Sequence, residues 1–293
     1  MIADSGVNAT VVLIRTRGIS IVPDGGRALV TVEAGHPWDE VVEFCVAEGL
    51  SGIECLSGVP GSAGATPIQN VGAYGQEVAE TIQTVRVLDR QRGVVVDLTA
   101  SECGFAYRTS IFKNNDRYVV LAVTFGLERS PLSAPVRYAE LARSLGVSPG
   151  DRVPLAQARQ AVLALRAGKG MVLDPNDPDT RSVGSFFTNP VLTADEFAAL
   201  VDRAGTTPPH WPGPDGTVKV SAAWLIEHAG FGKGYSGDHP GVAVSSKHTL
   251  ALTNRGTGTT AALLGLAREI RDGVRKAFDV RLHPEPVLVN CSL

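Results

Sequence analysis

The feature that most constrains the fold is a glycine-rich segment, residues 57–75, which contains five glycines among small neighbours. Such a backbone can approach a ligand closely and can offer N–H groups to phosphate oxygens. The segment matches neither the Walker loop nor the G-x-G-x-x-G dinucleotide fingerprint. From composition alone two interpretations stay open: a phosphate or cofactor site, or a tight irregular loop that binds nothing.

Apolar and β-branched runs separated by turns surround this segment in the N-terminal half. A helix is expected to begin at Pro37 and to end at Gly49, with one apolar face. Strands are expected at residues 10–15, 19–22, 28–32 and 118–127, and a hairpin at residues 84–98. This pattern predicts an α+β domain with antiparallel strands.

The C-terminal half begins after a helix predicted at residues 155–167. A loop rich in Pro and Asp, residues 174–179, lies close to the expected domain boundary. Thr193 and Glu196 have the spacing of a capping box, and the last helix is expected at residues 260–278. We therefore divide the chain into residues 1–168 and residues 169–293.

Charge and cysteine content exclude several classes of function. A net charge of −3 and a pI near 6.1 give no general attraction to nucleic acid. No apolar run approaches the roughly 20 residues of a membrane span, and no signal peptide is recognisable. The four cysteines form no C-x-x-C pair. We expect a cytoplasmic protein, a monomer or weak oligomer, with no metal site and buried free thiols.

Three short patterns contain side chains capable of chemistry, although none is specific alone. Arg108 in Y-R-T-S-I-F-K has a guanidinium that can stabilise an oxyanion, or it is simply solvated. Ser185 in G-S-F-F-T-N-P lies outside the G-x-S-x-G pattern of hydrolases, and an anchored loop explains it equally well. Glu285, between two prolines, would ordinarily be a surface group.

Together, in this order, these pieces resemble the UDP-N-acetylenolpyruvoylglucosamine reductase family, also called UDP-N-acetylmuramate dehydrogenase. The similarity runs from Ala3 to about Val289 and is carried by P-G-S-A-G-A-T-P-I-Q-N-V-G-A-Y-G-Q-E-V and G-S-F-F-T-N-P. It implies a two-lobe flavoprotein of the vanillyl-alcohol-oxidase/p-cresol-methylhydroxylase FAD-binding type, with a C-terminal α+β substrate domain. Family members begin with a further flavin-binding lobe, so we expect that first lobe to be absent here.

The resemblance also implies an activity. In the family, FAD accepts a hydride from NADPH and passes it to the enolpyruvyl double bond of a UDP-sugar in peptidoglycan synthesis. Arg108 and Glu285 would stabilise the enolate-like intermediate, and Ser185 would donate a proton. Two alternatives stay open: a flavin oxidoreductase of the same fold with another substrate, and a chain that binds a UDP-sugar without turnover.

The same resemblance assigns binding roles to further residues. Substrate contacts are expected at Tyr107, Tyr138, Lys169, Asn189 and Trp211; many family members have Tyr in place of Trp211, whose indole can stack but has no phenol oxygen. Flavin contacts are expected along the glycine-rich segment, at Ser57, Gly58, Pro60, Gly61, Ser62, Gly64, Ala65, Gln69, Asn70, Gly72, Ala73 and Tyr74.

Overall fold

The computed structural model describes residues 1–293, which form two compact units. The N-terminal unit contains residues 11–167, and the C-terminal unit contains residues 1–10 and 168–293. The first ten residues, which the sequence division placed in the N-terminal domain, lie with the C-terminal unit. Met1 donates its terminal amine to the carbonyl of Val287 at 2.7 Å, and the N–H of Ala3 donates to the carbonyl of Val289 at 3.0 Å.

An antiparallel sheet forms the N-terminal unit, in the strand order β1-β2-β8-β6-β7, with β3 paired to β8. The elements in chain order are β1 (Ile19–Asp24), β2 (Arg27–Glu33), α1 (Trp38–Ala47), β3 (Leu50–Ser51), β4 (Gly72–Ala73), β5 (Gln76–Glu77), β6 (Ile82–Asp89), β7 (Val94–Thr99), β8 (Tyr118–Arg129), α2 (Ala139–Leu145) and α3 (Leu155–Gly168). The buried residues of β8 are Val120, Ala122, Val123, Phe125 and Leu127. The ring centroid of Phe125 lies 5.6 Å from that of Trp38 on α1. The predicted helix after Pro37 and the predicted hairpin are thus confirmed.

Residues 10–15 are a correction to the sequence analysis, because they form no strand. Val11, Val12 and Leu13 are 70%, 83% and 68% exposed, and residues 10–18 pair with no other strand. A β-branched run favours a strand only where a neighbouring strand and a packed surface receive it. No strand pairs with residues 10–15, and no surface covers the side chains of Val11, Val12 and Leu13, so the composition alone predicted a strand that does not form.

Two small sheets and three helices form the C-terminal unit. The elements are β9 (Ser182–Ser185), β10 (Val191–Leu192), α4 (Ala194–Ala204), β11 (His210–Pro212), β12 (Val218–Val220), α5 (Ala222–His228), β13 (Val242–Val244), β14 (Ala251–Asn254) and α6 (Thr260–Phe278). The strand orders are β13-β14-β9 and β10-β12-β11. The core face of α6 contains Leu263, Leu266, Ile270, Val274 and Phe278. Thr193 and Glu196 form the predicted capping box at the start of α4.

All four cysteines are free thiols, and Cys45, Cys55 and Cys103 are buried. Burial raises the pKa of Cys45 to about 12 and that of Cys103 to about 11, and it raises the pKa of Cys55 further. None of the helices combines the length and the apolar character needed to cross a membrane.

Candidate active site

The glycine-rich segment is an irregular loop that includes a short 3-10 turn, Ala63–Ala65. Gly64 allows it to pack closely against the end of β2, since a Cβ at Gly64 would lie 2.5 Å from the Cβ of Ala34. Gly61 has φ +112°, a conformation that side chains rarely adopt. Glycine at these two positions is therefore required by the backbone path of the loop.

Contacts with the start of α1 hold the loop in place. Asp39 Oδ1 accepts a hydrogen bond from the N–H of Gly58 at 2.6 Å, and the guanidinium of Arg159 donates to both Asp39 oxygens at 2.7 and 2.9 Å. Burial opposes ionisation of Asp39, but these hydrogen bonds outweigh it and hold its pKa below the usual value. The N–H of Trp38 also donates to the carbonyl of Gly61 at 2.9 Å.

The loop offers a ligand its backbone rather than its side chains. The successive N–H groups of Gly61 and Ser62 donate to no acceptor of the chain, and Gly61 is exposed. Adjacent free N–H groups of this kind suit the oxygens of a phosphate group. By contrast, the Ser57 hydroxyl is fully buried and donates to the carbonyl of Glu54 at 2.6 Å. The segment therefore fits a pyrophosphate-bearing cofactor such as FAD through main-chain donors.

The predicted flavin contacts differ in exposure along the loop. Ser57, Gly64, Asn70 and Tyr74 are buried, and Pro60, Gly61 and Ala65 are exposed. The half-buried residues are Gly58, Ser62, Gln69, Gly72 and Ala73.

A two-residue turn carries Tyr107 and Arg108. Ala106 and Thr109 exchange both backbone hydrogen bonds across it, at 3.1 and 3.2 Å. Arg108 has φ +53°, a left-handed conformation that costs a non-glycine residue roughly 1–3 kcal/mol. Lys113 Nζ donates to the carbonyl of Arg108 at 2.9 Å. Strained backbone positions are concentrated at functional sites, where the strain helps to fix the direction of one side chain. The strain at Arg108 fits its predicted catalytic role.

The guanidinium of Arg108 is held beside the ribbon formed by β4 and β5. Its Nη2 donates to the carbonyl of Gly72 at 2.7 Å, and its Nη1 lies 3.7 Å from Glu77 Oε1. The Tyr107 ring lies 5.3 Å from the guanidinium carbon, within the range of a cation–π contact. Arg108 therefore has a defined direction within the N-terminal unit.

Tyr74 and Tyr138 pack edge to face, with ring centroids 5.5 Å apart. Tyr74 is buried, and burial raises its pKa to about 12. Tyr138 precedes α2 and keeps 38% of its surface exposed, although its partial burial also raises its pKa. Both phenols thus remain protonated donors at neutral pH.

Ser185 and Glu285 come together in the C-terminal unit. Ser185 ends β9 opposite Ala251, just after a bulge where Gly184 has φ +78°. Bulges of this kind redirect the next side chain. The N–H of Glu285 donates to the carbonyl of Phe186 at 2.8 Å, so the two predicted catalytic residues lie on paired backbone.

The other predicted substrate residues of this unit lie on different elements. Asn189 Oδ1 accepts a hydrogen bond from the N–H of Ala222 at 2.9 Å, at the start of α5. Trp211 lies on β11, 41% exposed, with Lys219 Nζ 5.8 Å from its ring centroid. Lys169 follows α3 and is half-buried. The ring of Trp211 is thus available for stacking.

Comparisons with known proteins match both parts of the chain. Residues 175–289 match the family described as UDP-N-acetylenolpyruvoylglucosamine reductase, C-terminal domain, and residues 2–99 match the family described as FAD binding domain. Proteins named UDP-N-acetylenolpyruvoylglucosamine reductase are similar over the whole chain. That of Salinispora arenicola is 64% identical and is covered over 82% of its length, and that of Thermobifida fusca is 59% identical and covered over 84%.

The chain belongs to the UDP-N-acetylenolpyruvoylglucosamine reductase family. This confirms the resemblance drawn from the sequence and makes the chain a member of a family of flavin-dependent oxidoreductases. A crystal structure of the reductase from Thermus caldophilus shares the fold, with a TM-score of 0.59 at 22% identity, over 88% of this chain and 72% of that one. The expected FAD-binding α+β fold is therefore confirmed as well.

Sequence reasoning missed two residues that contact the predicted site residues. Asp39 binds the backbone of the glycine-rich segment, and Glu77 contacts Arg108. Asp39 showed only the signal of an acidic residue in the first turn of a helix. Glu77 showed none, because its partner lies far along the chain.

Proposed function

We propose that the chain catalyses the NADPH-dependent, FAD-mediated reduction of UDP-N-acetylglucosamine enolpyruvate to UDP-N-acetylmuramate in peptidoglycan biosynthesis. The observation that supports this most directly is the pairing of the Ser185 strand end with the Glu285 segment through the Phe186 carbonyl. This hydrogen bond joins the backbone beside the proposed proton donor, Ser185, to the backbone of the proposed carboxyl group, Glu285. We infer a cytoplasmic monomer or weak oligomer.

Reduction of the enolpyruvyl double bond adds a hydride and a proton to two carbons. FAD bound along the glycine-rich segment would supply the hydride, with NADPH as the reductant of the flavin. Hydride addition leaves negative charge on the carbon next to the substrate carboxylate. The Arg108 guanidinium would stabilise that charge, since it presents several donors in a fixed plane. Glu285 would assist while it carries a proton.

Ser185 would complete the reaction by giving its hydroxyl proton to the substrate carbon. A serine is a weak acid, so it has to be close to the carbon and oriented toward it. The bulge at Gly184 supports this role, because bulges of this kind redirect the side chain that follows them.

The UDP-sugar would be bound by side chains that can stack or donate hydrogen bonds. Tyr107, Tyr138 and Trp211 offer aromatic faces, and Lys169 offers a cation for a phosphate. Asn189 is oriented by its contact with the first turn of α5, which fixes the direction of its side-chain amide.

Replacing Ser185 by Ala tests the proposal. The full chain loaded with FAD should oxidise NADPH when given the enolpyruvyl UDP-sugar, and the Ser185→Ala variant should form no product while its flavin is still reduced by NADPH. Ser236→Ala, an exposed serine of the same unit, is the matched control and should turn over normally. Normal product formation by Ser185→Ala would reject the proton-donor role.

A further inference from the structure

The strands β4 and β5 form a tight two-stranded ribbon beside Arg108. Gly72 lies opposite Glu77, and Ala73 lies opposite Gln76. The two turn residues, Tyr74 and Gly75, have φ +48° and +84°. Positive φ at both positions is typical of the type I′ turn, which fixes the register of a short hairpin. The Gly72 carbonyl and the Glu77 carboxylate are therefore held as neighbours.

The inner side of the ribbon is anchored through Gln76. Its Oε1 accepts a hydrogen bond from the N–H of Cys55 at 2.7 Å, and its Nε2 donates to Glu54 Oε1 at 3.0 Å. Gln76 is buried, and successive side chains of a strand point to opposite faces. Glu77 is thereby directed away from the core, toward the turn that carries Arg108.

Glu77 makes two contacts on that side. Its Oε1 lies 3.7 Å from Arg108 Nη1, and its Oε2 accepts a hydrogen bond from Asn70 Nδ2 at 2.8 Å. Asn70 Nδ2 also approaches the carbonyl of Ala106 at 3.2 Å, at the start of the Arg108 turn. Because Asn70 holds both the carboxylate and the turn, the distance between Glu77 and Arg108 is constrained from both sides.

Gly72 shows how closely this arrangement is packed. A Cβ at Gly72 would lie 2.7 Å from Glu77 Cγ and 2.9 Å from Arg108 Nη1. The Gly72 carbonyl also accepts a hydrogen bond from Arg108 Nη2 at 2.7 Å. Only glycine at position 72 leaves room for Arg108 to contact both the Gly72 carbonyl and the Glu77 carboxylate.

The Glu77–Arg108 pair is poorly suited to a purely stabilising role. The Glu77 side chain is 37% exposed, and ion pairs with such exposure contribute little to the stability of a fold. The turn, moreover, keeps Arg108 in a strained conformation at φ +53°. Backbone strain that fixes the direction of the Arg108 guanidinium is useful where this charged group has to contact a substrate. A displacement of a reacting group by about 1 Å can slow a reaction roughly 100-fold.

The geometry points to Glu77 as a positioning residue, whose carboxylate fixes the direction of the Arg108 guanidinium for the reaction. The inference rests on the proposed function, because it takes Arg108 as the group that acts on the substrate. Glu77 itself acts through Arg108.

A double-mutant cycle tests the inference on the full FAD-loaded chain, with Glu77→Gln, Arg108→Ala and the combined variant. Glu77→Gln keeps the shape and removes the charge. It should lower kcat roughly 10- to 100-fold, the effect of removing an orienting partner from a site, while the rate of flavin reduction by NADPH stays unchanged. In the Arg108→Ala background, Glu77→Gln should cost less than about a further twofold.

Binding of UDP-N-acetylmuramate, measured by calorimetry without NADPH, gives a second reading that needs no turnover. Both single variants should weaken binding, and the combined variant should bind like Arg108→Ala. Glu80→Gln is the matched control, since Glu80 forms a surface ion pair with Arg137 at 3.0 Å and should change neither quantity. Gly72→Ala leaves all charges in place but displaces the pair, so it should reproduce the loss in kcat.

The possible results distinguish the positioning role of Glu77 from the proposed role of Arg108 in the reaction. A Glu77→Gln variant with unchanged kcat and unchanged binding overturns the positioning role, and so does a loss that is equally large in the Arg108→Ala background. If Arg108→Ala itself turns over normally, the proposed role of Arg108 fails instead. Should Glu77→Gln not fold, Gly72→Ala decides the question by the same cycle against Arg108→Ala.

Discussion

Glu54 is a fully buried carboxylate beneath the ribbon of β4 and β5. Its Oε2 accepts a hydrogen bond from the N–H of Gly52 at 2.6 Å. Its Oε1 accepts from the N–H of Ala134 at 2.6 Å and from Gln76 Nε2 at 3.0 Å. Three neutral donors therefore surround the charge, and a change to Glu54→Gln alters one oxygen while it preserves the shape.

The expected cost follows from these three hydrogen bonds. In the glutamine variant the NH2 group takes the place of one oxygen, so either the N–H of Gly52 or the two donors at the other oxygen face another donor. A buried donor without a partner costs about 1–3 kcal/mol. The two bonds that remain lose their charge assistance, about 1 kcal/mol each, and the easier burial of a neutral amide offsets part of this. We expect Glu54→Gln to lower the free energy of unfolding by about 2–4 kcal/mol.

Urea unfolding of the N-terminal unit measures this change. Trp38 lies in the core of that unit, so its fluorescence reports unfolding in a background where Trp211 and Trp224 are Phe. Glu102→Gln is the matched control, because Glu102 also accepts hydrogen bonds from Thr99, at 2.8 and 2.7 Å, but at an exposed site where water replaces them. Equal losses in the two variants would refute the reasoning.

Three further predictions concern other parts of the chain. The lowered pKa of Asp39 means that its ionised form stabilises the fold above about pH 4, and that this contribution is lost as the pH falls through the folded pKa. The difference in free energy of unfolding between wild type and Asp39→Asn should thus be constant above about pH 4 and shrink below it, in urea titrations at each pH. In native protein a thiol reagent such as Ellman's reagent should label Cys291 rapidly and the three buried cysteines slowly, so Cys291→Ser should remove the fast phase. Gly184→Ala places a side chain at φ +78°; it should destabilise the protein by about 1–2 kcal/mol and slow product formation more than flavin reduction in stopped-flow traces.

Local features of the chain were predictable because their causes lie within a few residues. The periodicity of α6 and its limits, Thr260 and Phe278, follow from 3.6-residue spacing, which the structure confirms. The hairpin of β6 and β7 likewise follows from two apolar runs and the turn between them. The chemistry of Arg108, Ser185 and Glu285 stays a prediction that rests on motifs.

Contacts between distant residues were decided only by tertiary structure. Residues 10–15 have the composition of a strand but no neighbouring strand to pair with, and the sequence of the segment does not show that absence. Glu77 reaches Arg108, and Glu285 reaches the backbone beside Ser185, only through strand register and turns that close long stretches of chain. Sequence by itself thus determined several of the helices and strands and the family, through local sterics, hydrophobic spacing and motifs. The contact partners of the charged and strained residues were decided by the tertiary structure, because pairing across a sheet depends on strand register rather than on the neighbouring residues in the sequence.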